Sequence, residues 1–327
     1  MELPAGLTSA RVELPAESYV TLGVVGPKDA LIRWHLEAPP GVTAPRAHES
    51  LDEDGKLPAF LSFITGAEPS HVVVVVEVGA PVSLWRVSAD PNDLAAPSPR
   101  ELRLGRAEPR PMIGLPPPLE PRDGYLLKPP ARYLFFRIDI AVALRHALRQ
   151  TRVRFRRNPI VVGDGSQWDG FGPGMDHEKS RHIGHRGGTE VDIGLPSNDD
   201  SPSTIVRRCD GVLIEKDELV CSPGTVRRLD AYRLAYFLGL LLDGPTPNGI
   251  YMPDRRPGPI APVLSILTDQ AYVDEIRKAA ERLRKRRWIH DDGYGALVEE
   301  GLLRPSSWHT DHVHIRFAGE RGRPLIP

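Results

Sequence analysis

Cysteine is almost missing from this sequence, with two residues in 327. At most one disulfide can form, so the fold must be held by its apolar core. Net charge is also close to absent, 42 Lys and Arg standing against 43 Asp and Glu. That balance implies no global attraction to nucleic acid or to an anionic membrane. No apolar run approaches the roughly 18 to 20 residues that a membrane span requires. The opening residues, Met1 to Thr8, lack the basic start and apolar middle of a signal peptide. The expectation is a protein that works inside the cell, leaves by another route, or has lost its leader.

Proline, by contrast, is plentiful, and it divides the chain. Residues 1–106 read as all-β. Apolar or alternating runs at 11–14, 19–25, 31–36, 60–65, 71–78, 84–87 and 101–104 are separated by Gly, Pro, Asp and Asn signals. The run His71–Val78 is expected to be a strand buried on both faces, and the whole a small sandwich or barrel suited to docking or delivery. Residues 107–131 are proline-dense and read as an interdomain linker of extended geometry. Residues 132–327 mix helical and strand patterns without βαβ repetition, which predicts an α+β domain.

Histidine is the residue that clusters. Seven of the eleven lie between His177 and His314. His312-x-His314 on a strand puts two imidazoles on one face, with Arg316 continuing it. Asp192 lies beside Glu190 on another alternating run, and the Gly187-Gly188 pair permits a turn that brings His185 back toward Asp192. A catalytic zinc takes three protein ligands and keeps one position open. His185, Asp192 and His314 supply three, and His312 stands close enough for a general base. The Gly-rich loop from Asp164 to Ser180 holds Trp168, an expected wall of a binding groove. Cys209 and Cys221 flank a hairpin turning near Glu215 to Asp217, which permits a disulfide and equally permits two free thiols.

Together, His182-x-x-His185-x-x-Gly188-x-Glu190-x-Asp192 and His309-x-x-His312-x-His314-x-Arg316 resemble the penicillin-insensitive murein endopeptidases, of the lysostaphin and D-Ala-D-Ala metallopeptidase group. The resemblance spans roughly residues 132–320. It implies a zinc enzyme that cuts D-amino-acid peptide cross-links in peptidoglycan, in the periplasm or on the cell wall. It implies a small antiparallel sheet carrying the ligands His185, Asp192 and His314, with His312 catalytic, His309 assisting and His182 without a fixed role. His309 and Arg316 are candidates to stabilise the oxyanion. Two departures stand out: Glu190 where the family usually has Asp, and Gly184 where it often has Ser. Both bear on substrate fit more than on metal. Rival readings are a zinc D,D-carboxypeptidase or another peptidoglycan amidase, and a non-catalytic zinc-stabilised binding module.

Overall fold

The computed structural model describes residues 1–27, 30–38, 48–50, 58–89, 110–118, 123–174, 184–199, 207–243 and 261–324. The fold is α+β, with a β-rich N-terminal region.

Strands β1 (Glu2–Leu3), β2 (Gly6–Leu14), β3 (Tyr19–Val25), β4 (Ile32–Glu37), β5 (His48–Ser50), β6 (Ala59–Ile64), β7 (Ser70–Val78) and β8 (Val82–Ala89) come first. They form two antiparallel sheets, β1-β8-β3-β6-β5 and β2-β7-β4, which enclose one core. Val12, Val74 and Val76 from one sheet meet Leu22, Phe63 and Leu84 from the other. Each such side chain contributes roughly 1.5–3 kcal/mol by leaving water. One expectation fails here. β7 is not buried on both faces: Val72, Val74, Val76 and Val78 are buried, whereas Val73 and Val75 are half-buried. Among the described residues, the apolar core lies on one side of its three-stranded sheet, and the alternate positions turn to the other side. The expected strand at 101–104 lies outside the described residues.

The expected linker is also corrected. Within 107–131, the described stretches contain β9 (Met112–Gly114) and β10 (Tyr125–Leu127). Met112, Ile113, Leu115 and Tyr125 are buried, and the Tyr125 hydroxyl donates to the Pro116 carbonyl at 2.7 Å. Three-residue strands need few ladder bonds, so prolines flanking them cost little, while the apolar residues between them go inward. The two regions are joined here by packing. Phe60 of β6, Met112 and Phe135 share a small core, and the Gly114 amide donates to the Thr21 hydroxyl.

The remaining elements are β11 (Phe135–Arg137), α1 (Ile138–Phe155), β12 (Ile160–Val162), β13 (Glu190–Gly194), β14 (Val212–Glu215), β15 (Glu218–Cys221) and α2 (Ala231–Asp243). They are followed by β16 (Val263–Thr268), α3 (Gln270–Lys285), α4 (Asp291–Tyr294), β17 (Leu303–Pro305) and β18 (His312–Phe317). A mixed sheet of order β10-β12-β13-β18-β16-β17 forms the floor. Val191, Ile193, Val313 and Ile315 point to its buried face, against a core shared with α1, α2 and α3. Asp269 caps α3, its carboxylate accepting from the Ala271 amide at 2.9 Å. Among the described residues, no helix is long and apolar enough to cross a membrane.

Candidate metal centre

The antiparallel pair β13–β18 sets the site. Its register puts Asp192 opposite His314, Glu190 opposite Arg316 and Gly194 opposite His312. Period-two alternation then does the rest: apolar residues go down to the core, and Glu190, Asp192, His312 and His314 stand on the other face.

His185 arrives from the loop. Its own φ is +62°, and Gly187 and Gly188 follow at +64° and +65°. At Gly188 a β-carbon would sit 2.5 Å from the Arg137 amide nitrogen, so only glycine lets the turn pack this closely. The result places His185 Nε2 3.3 Å from Asp192 Oδ1, while His314 Nδ1 lies 3.0 Å from the same oxygen. One donor atom from each of His185, Asp192 and His314 falls within 4.8 Å of the others. Ligand atoms on a tetrahedral zinc with bonds of about 2.0–2.1 Å stand roughly 3.3–3.5 Å apart. Two imidazoles and a carboxylate at these separations fit such an ion.

Glu190 supports the ligands from behind. Its Oε2 accepts from the His185 amide at 2.6 Å and lies 3.3 Å from His314 Nε2, and its Oε1 lies 3.3 Å from Arg316 Nε. Second carboxylates that hold a ligand histidine by its other nitrogen fix the ring and its tautomer. Glu190 and Gly184 are structurally linked. A β-carbon on residue 184 would run into Glu190 Oε2. The longer acid occupies the space that a side chain at 184 would need.

The electrostatics follow from this crowding. Burial pushes the His314 pKa down, but the hydrogen bonds and charges of Asp192 and Glu190 outweigh it and raise it to about 9. Burial acts to raise Glu190, yet His314 and the His185 amide bring it to about 2. Asp192 is held well below the usual carboxylate range: burial opposes this, and His185, His312 and His314 overcome it. These are properties of the site without an ion.

His312 Nε2 lies 3.4 Å from Asp192 Oδ1, and its Nδ1 is 2.6 Å from Asp311 Oδ1. Burial lowers its pKa, and Asp192 and Asp311 more than reverse that. His309 lies with its ring 5.0 Å from that of His312, its Nδ1 donating to the Ser307 carbonyl at 2.8 Å. A carbonyl can only accept, so in the neutral ring Nε2 of His309 offers a lone pair. Burial, then the neighbouring His312, lowers its pKa. Of the two residues expected to hold an oxyanion, His309 lies against His312 and Arg316 is more than half exposed.

The loop carrying these histidines is braced from three sides. The Thr268 hydroxyl donates to the His312 carbonyl at 3.0 Å, and the Asp269 amide to the His309 carbonyl at 3.2 Å. The Tyr272 hydroxyl donates to the Thr310 carbonyl at 2.9 Å and lies 3.3 Å from Cys209 Sγ. Cys209 and Cys221 form a disulfide.

Other expected residues divide. Trp168, half-buried, packs against Phe60, ring centroids 5.5 Å apart, at the junction of the two regions. An aromatic on a Gly-rich loop is claimed by whichever apolar neighbour the fold brings near. His182 and His177 lie outside the described residues. Sequence reading passed over Asp311, whose place directly before His312 was the available signal. It also passed over Trp308, 57% exposed beside His309 with a φ of +67°. Gln167 is a third: its buried side-chain amide has no hydrogen-bond partner among the described residues.

The chain matches no family model, no curated protein and no solved structure.

Proposed function

We propose that this protein is a zinc-dependent peptidoglycan endopeptidase that hydrolyses D-amino-acid peptide cross-links. The observation that carries the reading is the joint placement of His185, Asp192 and His314 with His312 Nε2 at their edge. A purely structural metal site has no use for a fourth imidazole held by its own carboxylate. His185, Asp192 and His314 would hold the ion, and its chemistry when bound is to acidify water and polarise a carbonyl.

The protein's own groups carry the proton. Asp311 fixes His312 through Nδ1, so Nε2 is the atom turned toward the ligand cluster, where it would take a proton from water and return it to a leaving amine. With Asp192 engaged as a ligand, its charge would no longer hold a proton on His312, and the imidazole would stand as the neutral base. Glu190 keeps the His314 ring and the His185 turn in place. Arg316 leaves one cation at the open side.

The decisive experiment digests purified cross-linked peptidoglycan with and without a chelator and follows muropeptides by mass spectrometry. The expected result is conversion of dimers to monomers, abolished by chelation and restored by zinc. Release of a single terminal D-amino acid instead identifies a carboxypeptidase. Unchanged dimers with zinc bound favour the carboxypeptidase or the binding-module reading.

A further inference from the structure

Two basic stretches, more than a hundred residues apart, meet on the surface of the C-terminal region. The first closes α1 and runs on past it: Arg149, Arg152, Arg154, Arg156 and Arg157, with no acidic residue between Asp139 and Asp164. The second closes α3: Arg282, Arg284, Lys285, Arg286 and Arg287. Cations at a helix C-terminus offset the dipole, and that alone explains either stretch by itself. It does not explain their convergence. Both stretches meet over Trp288, with the Arg154 guanidinium 3.4 Å and that of Arg286 5.7 Å from the ring centroid. Nor do these side chains cap the helices. Those of Arg152, Arg154, Arg156, Arg286 and Arg287 make no hydrogen bond or ion pair among the described residues. Neighbouring acids are already engaged, Glu281 by Lys285 and Asp291 by Arg284.

We infer that this patch is an adhesion surface for a carboxylate-rich polymer, namely the anionic peptide stems of peptidoglycan; the inference rests on the proposed function. The guanidinium fork pairs bidentately with carboxylates, and four of the unpaired arginines, Arg154, Arg156, Arg286 and Arg287, are exposed. Nucleic acid fits less well. Single-strand binding needs open aromatic faces, and the faces here are covered: Trp288 by Arg154, Tyr294 by Arg284 at 4.5 Å. An insoluble, crosslinked substrate favours an enzyme that stays attached between cuts, through many weak charge contacts distinct from the site.

The test compares the wild type with the quadruple variant Arg154→Gln, Arg156→Gln, Arg286→Gln, Arg287→Gln, on intact sacculi and on a soluble cross-linked muropeptide dimer. On sacculi, release by the variant is expected to fall roughly 10- to 100-fold at low salt. The gap is expected to close between about 50 and 500 mM NaCl as the charges are screened. On the soluble dimer the two proteins are expected to match. Equal rates on sacculi overturn the inference, as does an equal loss on both substrates, which marks damage to the fold. If the wild type cuts neither substrate, the catalytic reading fails. Co-sedimentation with sacculi then decides this one: loss of binding in the variant supports it, equal pelleting overturns it. Tighter retention of the wild type on duplex DNA than on sacculi at the same salt also overturns it.

Discussion

The N-terminal sandwich and the β13–β18 pair are both antiparallel, yet they spend their buried positions differently. Among the described residues, the buried polar side chains of the sandwich are the hydroxyls of Ser18, Thr21, Ser62 and Thr65, none of them ionisable, with Thr21 and Ser62 paired to each other. The β13–β18 pair buries Glu190, Asp192 and His312 alongside Val191, Ile193, Val313 and Ile315. Removing ionisable groups from water costs free energy unless each finds a partner. A sheet that gathers them on one face carries a cost that a purely apolar core does not. The sandwich shows what the same architecture looks like without that cost.

The largest break in this contrast comes from a ligand. His185→Ala is expected to abolish metal binding, measured by metal content after dialysis, while the sandwich keeps its fold. His312→Ala is next: zinc stays bound and turnover falls by about 10²–10⁴. Full activity in that variant would remove His312 from the mechanism. In the sandwich and its junction the expected losses are of stability only. Phe60→Ala, which empties the core it shares with Met112 and Phe135, should cost about 3–5 kcal/mol in denaturant unfolding. Zinc affinity per folded molecule should not change.

Smaller effects sharpen the comparison. Gly184→Ser should clash with Glu190, and Glu190→Asp should leave His314 and the His185 turn slack. The double variant should recover much of both losses, with a coupling of roughly 0.5–3 kcal/mol in a thermodynamic cycle. Strict additivity would show that the two positions are independent. The pH response has two opposite signs. The His314 pKa is raised to about 9 without metal, above the ordinary value of about 6.5. Its stabilising contribution to the metal-free protein is therefore complete below about pH 6.5 and is lost as pH rises through about 9. Zinc competes with that proton, so affinity should climb over the same interval. Urea midpoints and zinc titrations between pH 6 and 9 measure the two trends.

Much of this was legible in the residues. Strand β3 begins and ends where the apolar run does, and the Lys216-Asp217 turn of the β14–β15 hairpin, with φ of +50° and +64°, falls where the polar break lies. The strand faces that Asp192 and His314 occupy, and the turn that returns His185, follow from alternation and one glycine pair, both local properties. What proline suggested about 107–131 was misleading, because proline restricts backbone angles without saying whether the apolar residues between prolines find a core. Helix α2 starts six residues after the apolar periodicity begins at Thr225, since residues 225–230 are drawn into a bridge and turn contacts with Cys209 and Ser197.

The sequence by itself determined the donor types, the period-two spacing that puts them on one face, and an α+β order of elements. Only the tertiary structure decided that Asp192 stands opposite His314. It also set Glu190 against the gap at Gly184, joined Cys209 to Cys221 behind the His309–His312 loop, and brought two arginine-rich helix ends over one tryptophan. The division has a plain cause. Alternation and turn propensity act over a few residues, whereas register, packing and charge convergence depend on which distant surfaces share a core.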